Sequence, residues 1–203
     1  MTAATTAATA LVIVESHFGN TRTIARAVAA GLADAGVRAS VLDADRAGAP
    51  PADLDLLVLG APTHNRGLPT AGSRAAARRQ GATAAVGDGG VREWLATASI
   101  PARTRVAVFD TVTARNWLSG SAARAVAKML RRAGRGEPAV KSFVVGKGRA
   151  TPKRKDAQAR RLHPIVPADR KAARHEALRL LSCSARFLWL FLLRNKSRCV
   201  RQV

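Results

Sequence analysis

Three short stretches of the 203-residue chain carry residue types that could do chemistry. The first is Ser16-His17-Phe18-Gly19-Asn20-Thr21, which follows an apolar run and precedes a helical pattern. Small hydroxyl residues and a glycine at a helix start suit a phosphate monoester, because unpaired backbone N–H groups and the positive helix end favour an anion while Ser16 and Thr21 add hydroxyls. The same residues also read as an ordinary strand–helix turn capped by Asn20 or Thr21. The second stretch is Gly60-Ala61-Pro62-Thr63-His64-Asn65-Arg66-Gly67, and the third runs from Asp110-Thr111 through Trp117 to Ser121. Other catalytic signatures are absent: there is no G-x-S-x-G elbow, Walker A loop or H-E-x-x-H pair. Cys183 and Cys199 have no histidine at metal spacing, so no metal site is expected.

These stretches need elements to place them. Leu11–Val14 is a short apolar strand pattern, and Ile24, Val28 and Leu32 recur at helical spacing before Gly36, a helix stop. Further strands are expected at 37–42, 54–59, 105–109 and 140–145. The run Leu54–Leu59 is apolar in the way of a strand buried on both faces. Helices are expected around 73–79, 91–98 and 121–133, the last stopped by Gly134. Strands alternating with helices predict a doubly wound α/β domain with a five-stranded parallel sheet. In the order 2-1-3-4-5, strands one, three and four are neighbours, and all three stretches then gather at their carboxyl ends, where such sheets bind ligands.

At this point the chain resembles the flavodoxin family. The resemblance is carried by Ser16-x-Phe18-Gly19-Asn20-Thr21, Gly60-x-Pro62-Thr63 and Asp110-Thr111…Leu118-Ser119-Gly120-Ser121-Ala122-Ala123, over roughly residues 10–148. It implies a flavodoxin-like fold binding FMN non-covalently, for electron transfer or small-molecule redox chemistry. Residues 16–21 would hold the ribityl phosphate, and the loops holding Pro62, Thr63, His64, Asn65, Asp110, Thr111 and Trp117 would flank the ring. The chain has no tyrosine, so His64 and Trp117 are the flat groups available to the ring, and Trp117 is the preferred stacking partner. Implied partners are a redox protein, NAD(P)H or a quinone-type substrate. Ser16, His64 and Asp110 could be written as a catalytic triad, but each lies in a loop of the flavin type. Arg74, Arg78 and Arg79 read as a solvated helix face or, alternatively, as cations that attract a phosphorylated nucleotide such as NADPH.

Composition sets the bounds. The chain is 47% hydrophobic with 43 alanines, enough for one core but with few large residues in it. No apolar run reaches the roughly 18 to 20 residues of a membrane span, and the start lacks the charge of a secretory signal, so a cytoplasmic location is expected. The net charge of +21 is uneven: residues 1–148 hold 19 Lys/Arg and 10 Asp/Glu, and residues 149–203 hold 15 and 3. We therefore expect a flavodoxin-like domain over 1–148 and a basic tail over 149–203 with one helix, whose Leu178, Leu181, Ala185, Leu188 and Leu192 form a seam. The tail reads as a replacement for the domain's last helix, as a surface for an anionic membrane or partner, or as frame-shifted, non-homologous sequence. A nucleic-acid- or membrane-surface-binding protein with no bound flavin is the alternative to the redox reading.

Overall fold

A computed structural model describes residues 7–82, 89–113 and 120–145. The expectations for Trp117 and for the tail 149–203 lie outside these residues. β1 (Thr9–Val14) and β3 (Leu56–Pro62) are apolar on both faces and buried along nearly their whole length, as central parallel strands must be. β2 (Arg38–Asp43) alternates between exposed and half-buried, the mark of an edge. With β4 (Arg105–Val112) and β5 (Ala139–Val144) they form one parallel sheet in the order β2-β1-β3-β4-β5. This is the flavodoxin-like doubly wound order.

The register lines up one row per face. Ile13, Leu59, Val108 and Val140 are successive cross-strand partners and pack on one side with Trp94 of α3 (Val91–Thr97) and with Val126 and Leu130 of α4 (Ala122–Arg132). On the other side Val12, Val58 and Ala107 pack with Ile24, Val28 and Leu32 of α1 (Asn20–Asp34). The short α2 (Ala71–Arg79) is capped by Thr70, whose hydroxyl accepts the Ser73 amide. Next along the sheet Gly60 lies against Phe109, and a Cβ at Gly60 would fall inside the Phe109 ring. Gly36 and Gly134 end α1 and α4 as the sequence suggests, each with the paired turn bonds of a Schellman cap: Gly36 to Ala33 and Val37 to Leu32, Gly134 to Arg131 and Arg135 to Leu130.

Two boundaries differ from expectation in a way that matters for the site. β3 starts two residues late, because Leu54 closes a turn onto the Pro51 carbonyl, and it runs on through Pro62. β4 likewise continues to Val112, since Asp110, Thr111 and Val112 pair with Ser142, Phe143 and Val144 of β5. Pro62, Asp110 and Thr111 are therefore strand residues and not loop residues. Among the described residues no helix is long and apolar enough to cross a membrane.

Candidate functional site at the carboxyl ends of β1, β3 and β4

The chain leaves β1 at Glu15, whose amide still bonds the Gly60 carbonyl at 2.9 Å. It then turns sharply into α1. Gly19 is the N-cap at φ 88, a conformation that costs glycine little, and an added Cβ there would meet nothing within 4 Å. The first turn of α1 holds no acidic residue, and a glycine cap brings no side-chain oxygen. The Arg22 amide is met by Ser16 Oγ at 3.2 Å, and the Thr23 amide bonds the Gly19 carbonyl at 2.9 Å. Ser16 and Thr21 are buried, while Phe18, Gly19 and Asn20 are half-buried.

Side chains then tie the three loops together. Thr21 Oγ1 lies 2.9 Å from Thr111 Oγ1, joining the start of α1 to the end of β4. The Thr63 hydroxyl donates to Asp110 Oδ2 at 2.9 Å, joining β3 to β4. The rings of His17 and His64 sit 4.7 Å apart at a 38° tilt, joining β1 to β3. Beyond Thr63 the chain makes a two-residue hairpin: His64 and Gly67 exchange both backbone bonds at 2.9 Å, with exposed Asn65 (φ 45) and Arg66 (φ 68) at the tip.

Asp110 is fully buried and its role is to hold the α4 start in place. Its Oδ2 accepts from Thr63, from the Ser121 hydroxyl at 2.6 Å and from the Ala123 amide at 3.1 Å. A carboxylate at the first turn of a helix is favoured by the helix dipole. Its Oδ1 is buried with no partner among the described residues. Ser16, His64 and Asp110 do not form a triad: Ser16 Oγ serves the Arg22 amide, and Asp110 serves two hydroxyls and an amide.

Sequence reasoning missed a charged cluster directly beneath the first loop. Arg74 is not on a solvated face; its side chain is 1% exposed. Its Nε donates to Glu15 Oε1 at 2.8 Å, and its guanidinium nitrogens donate to Glu93 at 3.2 and 2.6 Å. Glu15 also accepts from His17 Nε2 at 3.1 Å and from the Val91 amide at 3.0 Å, while Glu93 takes the Gly90 amide at 2.8 Å. Burial works against ionised Glu15, but the bonds from His17 and Arg74, the Arg74 charge and the Val91 amide outweigh it, and its pKa is held below the usual carboxylate value. Because an ionised carboxylate only accepts, His17 Nε2 is the donor in this bond; the His17 Nδ1 is buried with no partner among the described residues. His64 is pushed down to about 4, first by burial and then by nearby His17. It is neutral at physiological pH. Two signals for the cluster stood in the sequence: Arg74 falls one helical turn before buried Ala77, on the same face, and Glu15 directly follows a buried apolar run.

Comparison with known proteins adds three findings. A family model described as a protein of unknown function (DUF3043) matches residues 146–202, the stretch that breaks in composition from the body. No curated protein gives a significant match to the chain. Among solved structures, the chain is similar to a flavodoxin from the domain Archaea (16% identity, 71% of this chain and 87% of that one, TM-score 0.45). It is also similar to oxidised Flavodoxin 1 from Bacillus cereus (17% identity, 89% and 97%, TM-score 0.47) and to two-electron reduced Megasphaera elsdenii flavodoxin (18%, 67% and 85%, TM-score 0.45).

Proposed function

We propose that the chain binds FMN non-covalently in the crevice above β1, β3 and β4 and serves electron transfer or small-molecule redox chemistry. The observation that carries the reading is the joining of three loops at the point where strand order reverses, through Thr21–Thr111, Thr63–Asp110 and His17–His64. The residues fit the group. The 15-residue α1 presents a first turn free of acidic residues, capped by a glycine with open space at its Cβ position. A phosphate monoester is the anion such a turn accepts. His17 Nδ1, buried and without a partner among the described residues, marks the same loop as short of one polar contact.

In this reading Ser16, Gly19, Asn20 and Thr21 hold the ester, with His17 and Phe18 shaping the turn. Pro62, Thr63, His64, Asn65 and Thr111 border the ring, Trp117 supplies the stacking face, and Asp110 keeps the β3 and β4 ends in register from below. When bound, FMN supplies one-electron or hydride transfer, and the protein contributes position and field. His64, kept neutral, brings a flat polar ring to the crevice without adding charge. The Glu15–Arg74–Glu93 cluster fixes the floor of the phosphate turn against α2 and α3. A redox protein, NAD(P)H or a quinone-type substrate would exchange electrons with it.

The test is a fluorescence titration of the full chain with FMN and with riboflavin, which lacks the phosphate. The reading predicts saturable quenching by one FMN per chain and riboflavin binding at least about tenfold weaker, the loss of one charge-assisted anion site. Equal affinity for the two, or no quenching, rejects it.

A further inference from the structure

Helix α4 contains no acidic residue, and its exposed side carries Arg124, Lys128 and Arg132 at i, i+4 and i+8. This spacing sets the three cations in one row, about 12 Å from first to last. None of them is paired with a carboxylate among the described residues, whereas Arg131, one position off the row, is held by Glu137. The row begins at the crevice. Arg124 follows Gly120 by four positions, and Gly120 lies so close to the Arg66 backbone that no side chain would fit between them.

Arg66 is the second observation. It is exposed, it has no carboxylate partner among the described residues, and it sits at φ 68 on the hairpin tip, where glycine or asparagine is the usual occupant. A long side chain kept at a costly backbone position beside a site points to use. Among the described residues, other charges at this end are engaged: Arg22 with Asp43, Arg74 with Glu15 and Glu93, Arg92 with the Leu68 and Pro69 carbonyls, and Asp110 with two hydroxyls.

We propose that Arg66, Arg124, Lys128 and Arg132 form the docking surface for an acidic partner protein, which lies along α4 with its own redox centre at the crevice mouth. A line of separated cations matches a row of carboxylates on a protein surface; a single phosphate would call for donors converging on one point. That the partner exchanges electrons rests on the flavin reading; the surface itself does not.

The test uses the full chain and labelled poly-L-glutamate as probe, followed by fluorescence anisotropy. Binding should weaken with added salt and fall roughly tenfold in R124Q/K128Q/R132Q. R66G, which relieves the positive φ and so preserves the fold, should weaken it by roughly twofold to threefold. R79Q/R103Q/R105Q, with the same loss of charge elsewhere on the surface, should stay within about twofold of the parent. Equal losses in the two triple variants overturn the proposal, because net charge alone then explains binding. A duplex oligonucleotide of matched charge that binds more tightly than poly-L-glutamate, with the same dependence on the α4 row, overturns it in favour of nucleic acid. A chain that takes up no FMN but shows the predicted pattern removes the flavin reading and leaves this surface standing.

Discussion

Replacing Arg74 with methionine keeps most of the side-chain volume and removes the guanidinium bonded to Glu15. The Glu15 and Arg74 side chains are 4% and 1% exposed, so the carboxylate would be left charged in a nearly dry site with only His17 and the Val91 amide. Removing one partner of such a buried pair costs about 3–5 kcal/mol. The second pair adds little, because the Glu93 side chain is 44% exposed and water would take over. For a domain of this size the loss corresponds to a fall in Tm on the order of 10 °C. The pH dependence gives the sharper signature. Glu15 has a folded pKa below the reference value of 4.5, so in the parent its contribution is present above about 4.5 and is lost as pH falls through the folded value. Arg74→Met raises that folded pKa, so the gap between parent and variant should be full at pH 7 and close as Glu15 becomes protonated. Adding Glu15→Gln should recover part of the loss, because the stranded charge is gone. Thermal melts of the parent, the single variant and the double variant from pH 7 to pH 4 decide the matter. A drop in Tm of less than about 2 °C at pH 7, or a gap that does not change with pH, refutes the reasoning.

Three further outcomes follow from named contacts. Gly60→Ala drives a Cβ into the Phe109 ring within a packed layer and should cost about 1–3 kcal/mol in urea unfolding, with the slope m unchanged. Asp110→Ala strands the Thr63 and Ser121 hydroxyls and the Ala123 amide, and should cost about 2–4 kcal/mol while raising amide exchange first at the start of α4. His64 has a folded pKa of about 4 against 6.5 unfolded, so its contribution is present above pH 6.5 and fades as pH falls toward 4; His64→Phe should flatten the parent's loss of stability over that window, and an unchanged slope would show that His64 is not its source.

The sheet was legible because its strands announce themselves in two ways. Leu11–Val14 and Leu56–Leu59 are continuous apolar runs, and the glycines at 36 and 134 stop their helices where local geometry alone requires it. What escaped is non-local. The extension of β4 through Asp110 and Thr111 depends on a partner strand some 30 positions away, which no local propensity encodes. Arg74 reads as a surface residue by type, and only the arrival of Glu15 from β1 and Glu93 from α3 makes its burial possible. Of the site residues, the turn at 16–21 and Thr63 were legible from their types and from their place at strand ends. That Asp110 faces the start of α4 was not, because it depends on where Ser121 and Thr63 come to lie. The tail is a separate matter. Residues 146–202, as they stand, match a family model, so the frame-shift expectation turns on whether the junction near 148 is continuous in the coding DNA.

The most direct measurement is a crystal of the full chain soaked in FMN, examined by difference density at the end of β1. The account predicts the phosphate against the amides of residues 18–21, with the ring between residues 62–65 and the end of β4 at Thr111. Density for the phosphate anywhere else, or an α1 turn left vacant at saturating FMN, would contradict it.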